Sequence, residues 1–164
     1  MAEELQNLLA EKLSGVVDET FENMAFIGIE EVDEEQLPVN AAHLREVSLL
    51  VTAPVVMEMH LRMADDLLQQ IVETMYTIDA EDITEEQIVD VLAETLNTLA
   101  GRLMTELLPS DQSFALSLPE IIPDEGVPAD ENIVFSAFYL ADDLPVNIKI
   151  AAAATDELET LLKH

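Results

Sequence analysis

The chain has 164 residues, the length of one ordinary domain, and 49 % of them are hydrophobic, enough for a real core. Its 35 acids against 6 bases leave a net charge of −29, which is repelled by phosphate backbones and anionic lipid surfaces and argues against nucleic-acid or membrane partners. There is no cysteine, so disulfides, thiol nucleophiles and thiolate zinc sites are excluded together.

Residues 1–5 (MAEEL) are acidic where a secretory signal would be basic and then apolar, and no apolar run is long enough to span a bilayer. A cytoplasmic protein is expected. Residues 3–24 place Leu5, Leu9, Leu13, Val17, Phe21 and Met24 at helical spacing. Residues 25–32 read as a strand and 33–40 as a loop, with Pro38 and Asn40 as breakers. Strands are expected at 43–52 and 55–62, joined at Ala53-Pro54, and a helix at 64–77. A second long helix should run over 84–108, with Thr84 as N-cap, Gln87 completing a capping box and Pro109 ending it. A strand at 112–118 precedes a loop at 119–131, which holds three prolines and a glycine. Strands at 132–140 and 145–153 and a terminal helix at 155–163 complete the pattern.

The order is helix, three strands, helix, and then the same again. A shift of 75 residues lays Leu13, Val17, Phe21 and Met24 on Ile88, Leu92, Leu96 and Leu99, and Glu19 on Glu94. Towards the ends of the halves the shift becomes 91, laying Asp65, Asp66 and Leu67 on Asp156, Glu157 and Leu158; the Pro-rich loop absorbs the difference. The expected fold is a single α/β (α+β) domain over 1–164, with pseudo-repeats of about 1–78 and 79–164. One sheet of about six strands carries the two long helices on one face.

On a wheel at about 100° per residue, Ile88, Leu92, Leu96, Leu99, Leu103 and Leu107 form the stripe of helix 84–108 that faces the sheet. The opposite face holds Asp90, Glu94, Asn97 and Gly101. Asn costs roughly 0.6 kcal/mol and Gly about 1 kcal/mol against Ala in a helix interior. Their placement on one exposed line points to a requirement other than helix formation. Gly101 removes a side chain where another backbone can approach. Asn97 offers a neutral amide that both donates and accepts. Glu94, on the same face, suits a partner's lysine.

Asp90, Glu94, Asn97 and Pro119, four, three and twenty-two residues apart, resemble the signature of the CheC/CheX/FliY group of chemotaxis phosphatases. The glycine four residues after the Asn is a frequent companion in that group, and the helix-plus-three-strand repeat resembles its fold over nearly the whole chain. The resemblance implies hydrolysis of the aspartyl phosphate of a CheY-like response regulator. That partner would supply the phosphoaspartate, the Mg²⁺ and a lysine, and no cofactor would be bound by this chain. By the same analogy Glu94 docks to the lysine and Asn97 orients the attacking water, as the glutamine of GTPases does. Asp90, Gly101 and Pro119 then have supporting roles. In the first half, Glu22 stands where Asn97 stands in the second, and Gly15 where Asp90 stands. A carboxylate at the amide position repels a phosphoryl group, so helix 3–24 should lack a second site; one site in two halves resembles CheX rather than CheC.

Two other readings stand beside this one. The first is a module that binds a response regulator without hydrolysis. The second is a dimer subunit that pairs through an exposed edge strand, 43–52 or 145–153; the family's tendency to dimerise makes this compatible with enzyme activity. His43, His60 and His164 form no HxxxH or HExxH pattern, so no metal site is expected. There is no GxSxG, Walker A or GxGxxG motif. The acidic pairs Glu30-Glu31, Asp65-Asp66 and Asp142-Asp143 read as solvated charge, and Met57, Met59 and Met63 as core filling.

Overall fold

The computed structural model describes residues 2–37, 43–123, 133–152 and 158–160. Helix α1 (Ala2–Ala25) buries Leu5, Leu9, Leu13, Val17 and Phe21, and leads to strand β1 (Ile29–Val32). The hairpin β2 (Leu44–Ala53) and β3 (Met57–Ala64) runs directly into α2 (Asp65–Tyr76). Helix α3 (Glu85–Leu107) opens the second half. It is followed by β4 (Ala115–Leu116), β5 (Glu120–Ile122), β6 (Ile133–Ala141) and β7 (Leu144–Ala151). Residues 158–160 are helical, with Leu158 in the core. Among the described residues no helix is long and apolar enough to cross a membrane.

All strands join one antiparallel sheet in the order β1-β6-β7-β3-β2, with β4 and β5 both on the outer side of β2. The sheet is built from two equivalent hairpins, β2–β3 and β6–β7, joined at the centre by β3–β7. Each half lends its first strand to the far side of the other: β1 flanks β6, and β4–β5 flanks β2. This is the pseudo-twofold arrangement that the repeated sequence pattern predicts.

Strand alternation builds the core. Val47, Leu49, Leu61, Ile148 and Ala137 are buried against the helices, while Glu46, His60, Arg62 and Lys149 occupy the alternate positions on the other face. The two long helices run antiparallel: Arg102 of α3 pairs with Glu19 of α1 at 2.9 Å, and Thr95 Oγ1 lies 3.4 Å from Met24 Sδ.

Several expectations are corrected. The strand read at 25–32 begins only at Ile29, because α1 continues to Ala25 and closes in a left-handed cap. Phe26 has φ 58°; its N–H donates to the Glu22 carbonyl at 2.9 Å, and the Ile27 N–H to that of Phe21 at 3.3 Å. The strand read at 112–118 is broken, and its second piece, β5, falls inside the predicted loop 119–131; among the described residues the sheet thus holds the expected six strands and this short additional one. Pro119 has no N–H to offer a ladder. The chain therefore bulges over 117–119, where the Ser117 N–H donates to the Leu50 carbonyl and the Leu50 N–H to Ser117 Oγ, both at 2.8 Å.

The strands expected to be exposed edges are interior: β2 lies between β3 and β4–β5, and β7 between β6 and β3. The edges are β1, guarded by exposed Glu30 and Glu31, and the interrupted β4–β5. Asp142 and Asp143, read as solvated charge, form the two-residue turn of the β6–β7 hairpin, both with positive φ. The single helical turn at Glu34–Gln36 interrupts the predicted loop 33–40. Residues 38–40 and 124–131 of the two predicted loops, and 155–157 and 161–163 of the terminal helix, lie outside the described residues.

Candidate functional site

α3 is fixed along its length. At its start the capping box forms as read: the Gln87 N–H donates to Thr84 Oγ1 at 3.2 Å, and the Thr84 N–H to Gln87 Oε1 at 3.0 Å. Arg45 of β2 grips Glu85 through both of its terminal nitrogens, one at 2.9 Å, and Asp65 of α2 through Nε. One guanidinium thus ties the first turns of α2 and α3 to the sheet. At mid-helix the buried Thr95 hydroxyl bonds back to the Val91 carbonyl at 2.6 Å, beside Met24. Further on, the Arg102–Glu19 pair clasps α1.

The burial of α3 extends beyond the stripe read from the sequence, since Val91, Thr95, Ala100 and Met104 are also covered. What remains outside is a narrow band. Asp90, Glu94 and Asn97 are exposed, and Gly101 lies between them and the C-terminal turns of the helix. At about 100° per residue these four positions fall within about 60° of arc. None of the three side chains forms a hydrogen bond or ion pair with another described residue. A Cβ placed on Gly101 would meet no atom within 4 Å, so the space beside it is open to an approaching molecule.

Pro119, the remaining motif residue, lies in the break between β4 and β5 rather than on the helix. α3 and β2 run the same way, from the Arg45–Glu85 pair to the turn that returns the chain to Ala115, opposite Ala53. The helix rises roughly 13 Å from Glu85 to Glu94 and β2 roughly 13 Å from Arg45 to Leu49. Glu120 is opposite Ser48, so Pro119 lies beside the middle of β2.

α1 presents a different face. Glu19, the counterpart of Glu94, is engaged by Arg102, and Glu22 replaces the amide. Thr20 and Thr95, 75 residues apart in the chain, are both buried, which adds a matched pair to the repeat; the Thr20 hydroxyl has no partner among the described residues. The sequence reading missed Arg45, Arg102 and the threonines. Arg102 was the findable one, being the only cation in α3.

A cleft of about 310 Å³ opens beneath the first turns of α3, lined by Arg45, Glu85, Val89, Leu92 and Ile121 among others. None of Asp90, Glu94, Asn97 or Gly101 lines it. The candidate site is therefore an exposed helix face that lies apart from this cleft. Small ligands take concave sites, and an exposed face with unpaired polar groups suits a second macromolecule.

A model of the family described as "Chemotaxis phosphatase CheX" matches residues 50–138. Comparison with curated proteins finds no match. Among solved structures, the chain is similar to the chemotaxis protein CheX from Vibrio vulnificus, with a TM-score of 0.67 and 15 % identity over 87 % of this chain and 95 % of that one. It is similar to a chain of the CheX–CheY–BeF₃–Mg²⁺ complex from Borrelia burgdorferi, with a TM-score of 0.59 and 15 % identity over 87 % and 96 %. FliY from Thermotoga maritima gives a TM-score of 0.64 and 13 % identity over 99 % and 96 %.

Proposed function

This chain belongs to the CheX family of chemotaxis phosphatases, and from that premise we propose that it hydrolyses the aspartyl phosphate of a CheY-like response regulator in the cytoplasm, with the outer face of α3 as its active surface. The observation that carries the reading is the pairing of Glu94 and Asn97, three residues apart on one exposed band and free of partners among the described residues. The complex of a CheX protein with CheY supports a partner of this kind.

In this reading Glu94 forms an ion pair with a regulator lysine and sets the helix over the acyl phosphate. The Asn97 amide accepts a hydrogen bond from a water and holds it in line with the phosphorus. The water oxygen forms a bond to phosphorus as the bond to the aspartyl oxygen breaks; the carboxylate leaves, and the water's proton passes to solvent. A neutral amide performs this positioning without repelling the phosphoryl oxygens. The rate gain comes from orientation, since phosphoryl transfer needs little covalent assistance. Mg²⁺ stays with the regulator. Gly101 keeps the helix surface low where the regulator approaches, while Asp90 and the bulge at Pro119 shape the margins. α1 carries no second site, because Glu19 is held by Arg102 and Glu22 presents a carboxylate.

The test is decay of phosphorylated, Mg²⁺-loaded CheY with and without the protein. Acceleration by wild type, its loss in Asn97→Ala and a raised KM in Glu94→Ala are the expected results. Unchanged decay with retained binding would make the protein a docking module instead.

A further inference from the structure

We propose that Phe26, at the C-terminal end of α1, is the apolar anchor that seats the regulator's receiver domain on the α3 face; this rests on the reading above and names a contact that the reading lacks. Phe26 is 84 % exposed, the most exposed aromatic among the described residues of a chain with only five Phe and two Tyr. Its backbone has φ 58°, a left-handed cap conformation in which glycine or asparagine is the ordinary choice. Folding therefore gains from Phe26 neither burial nor backbone ease. Both features run against the residue's presence unless something other than the described residues covers the ring.

Its position says what that is. From Glu19 to Met24, α1 passes from Arg102 to Thr95 along α3. Continued two residues to Phe26, the same antiparallel path reaches the level of Val91 and Leu92, within a turn of both Asp90 and Glu94. Neighbouring helices pack about 8–10 Å apart, so an exposed ring at that level on α1 lies within the span of one interface with the α3 band. The band itself is polar: two carboxylates, an amide and a bare glycine. Such groups exchange water for partner with little net gain. Interface affinity is carried by a few side chains, aromatic ones prominent among them, set in desolvated pockets. Phe26 supplies that element next to the catalytic pair. The surrounding carboxylates favour a lysine-bearing protein surface over an anionic membrane.

The test measures binding to CheY trapped with BeF₃ and Mg²⁺, together with turnover of phosphorylated CheY, for wild type, Phe26→Gly and Phe26→Ala. Val56→Ser serves as a control, removing a 61 % exposed apolar side chain at the β2–β3 tip. Expected are a rise of about tenfold in Kd and KM for both Phe26 variants, turnover at saturation unchanged, and wild-type behaviour for the control. Phe26→Gly should melt no lower than wild type, because glycine accepts the left-handed backbone. Wild-type affinity in the Phe26 variants, beside an active wild type, would overturn the anchor and leave the phosphatase reading intact. Lower melting of both variants would assign Phe26 to the fold, and loss of self-association alone would assign it to a second copy; either overturns the proposal. A wild type that neither binds nor dephosphorylates CheY removes the functional reading and the anchor together.

Discussion

Asn97 occupies a position where alanine would hold the helix better by roughly 0.6 kcal/mol. Asn97→Ala should therefore melt at or slightly above the wild-type temperature while losing the acceleration of phosphate release, a separation that thermal unfolding and a decay assay read on the same sample. Asn97→Asp, which copies the carboxylate that α1 carries at Glu22, should also be inactive, through repulsion of the phosphoryl group. On the far face of the sheet, His60 has Nδ1 3.1 Å from Glu46 and Nε2 2.6 Å from Glu58; its side chain is only 16 % exposed and that of Glu46 12 %. Arg62 reaches the same Glu46 at 3.3 Å, and Ser48 and Lys149 stand opposite His60 on the neighbouring strands. The hydrogen bond that its Nδ1–H donates to Glu46 raises the imidazole's proton affinity above its ordinary value, against the opposing cost of burial. A raised folded pKa gives stability that is fully present below the unfolded value of about 6.5 and is lost as pH rises through the folded value. The melting-temperature gap between wild type and His60→Gln should accordingly be wider at pH 6 than at pH 9 (~three units apart on either side of that value).

At the scale of elements, α3 is the best specified piece of the chain. Thr84, Gln87 and Pro109 mark its limits in the sequence, and the structure places them at the cap, the third helical position and just past the end. Thr84→Ala should cost about 1 kcal/mol of stability, measured by denaturant unfolding. Gly101→Ala should do the reverse, adding about 1 kcal/mol, because the new methyl meets no neighbour within 4 Å. On the proposed reading, in which the regulator approaches beside Gly101, the same methyl should weaken its binding. The polar band was legible because helical spacing alone gathers Asp90, Glu94, Asn97 and Gly101. The edge strand was not. Pairing across Pro119 depends on Ser117 meeting Leu50, which no local pattern announces. Nor was the end of α1: a left-handed cap without glycine has no sequence signal, and the apolar residues at 25–29 imitate a strand. Arg45 and Arg102 act on carboxylates far away in the chain, so their partners become visible only in the fold.

The whole molecule joins a repeated architecture to an unequal pair of helix faces. The 75-residue shift foretold that α1 and α3 would be equivalents, and the exchange of edge strands β1 and β4–β5 between halves gives that equivalence its form. It did not foretell the exchange itself, because which strand lies at an edge is set by tertiary pairing. The charge acts at this scale as well. With 35 acids against 6 bases, mutual repulsion among carboxylates outweighs the few ion pairs that Arg45, Arg62 and Arg102 form. Raising salt from about 0.01 M to about 1 M, which shortens the screening length from about 30 Å to about 3 Å, should raise the melting temperature. A fall would mean that the ion pairs dominate.

On the proposed reading, one face of one helix, through one amide, accelerates hydrolysis of another protein's aspartyl phosphate. The direct measurement is single-turnover release of inorganic phosphate from phosphorylated, Mg²⁺-loaded CheY saturated with either wild type or Asn97→Ala. Fast release with wild type, and release at CheY's own rate with the variant while it remains bound, is the expected outcome. Equal rates with the two proteins, at demonstrated saturation, would contradict the claim.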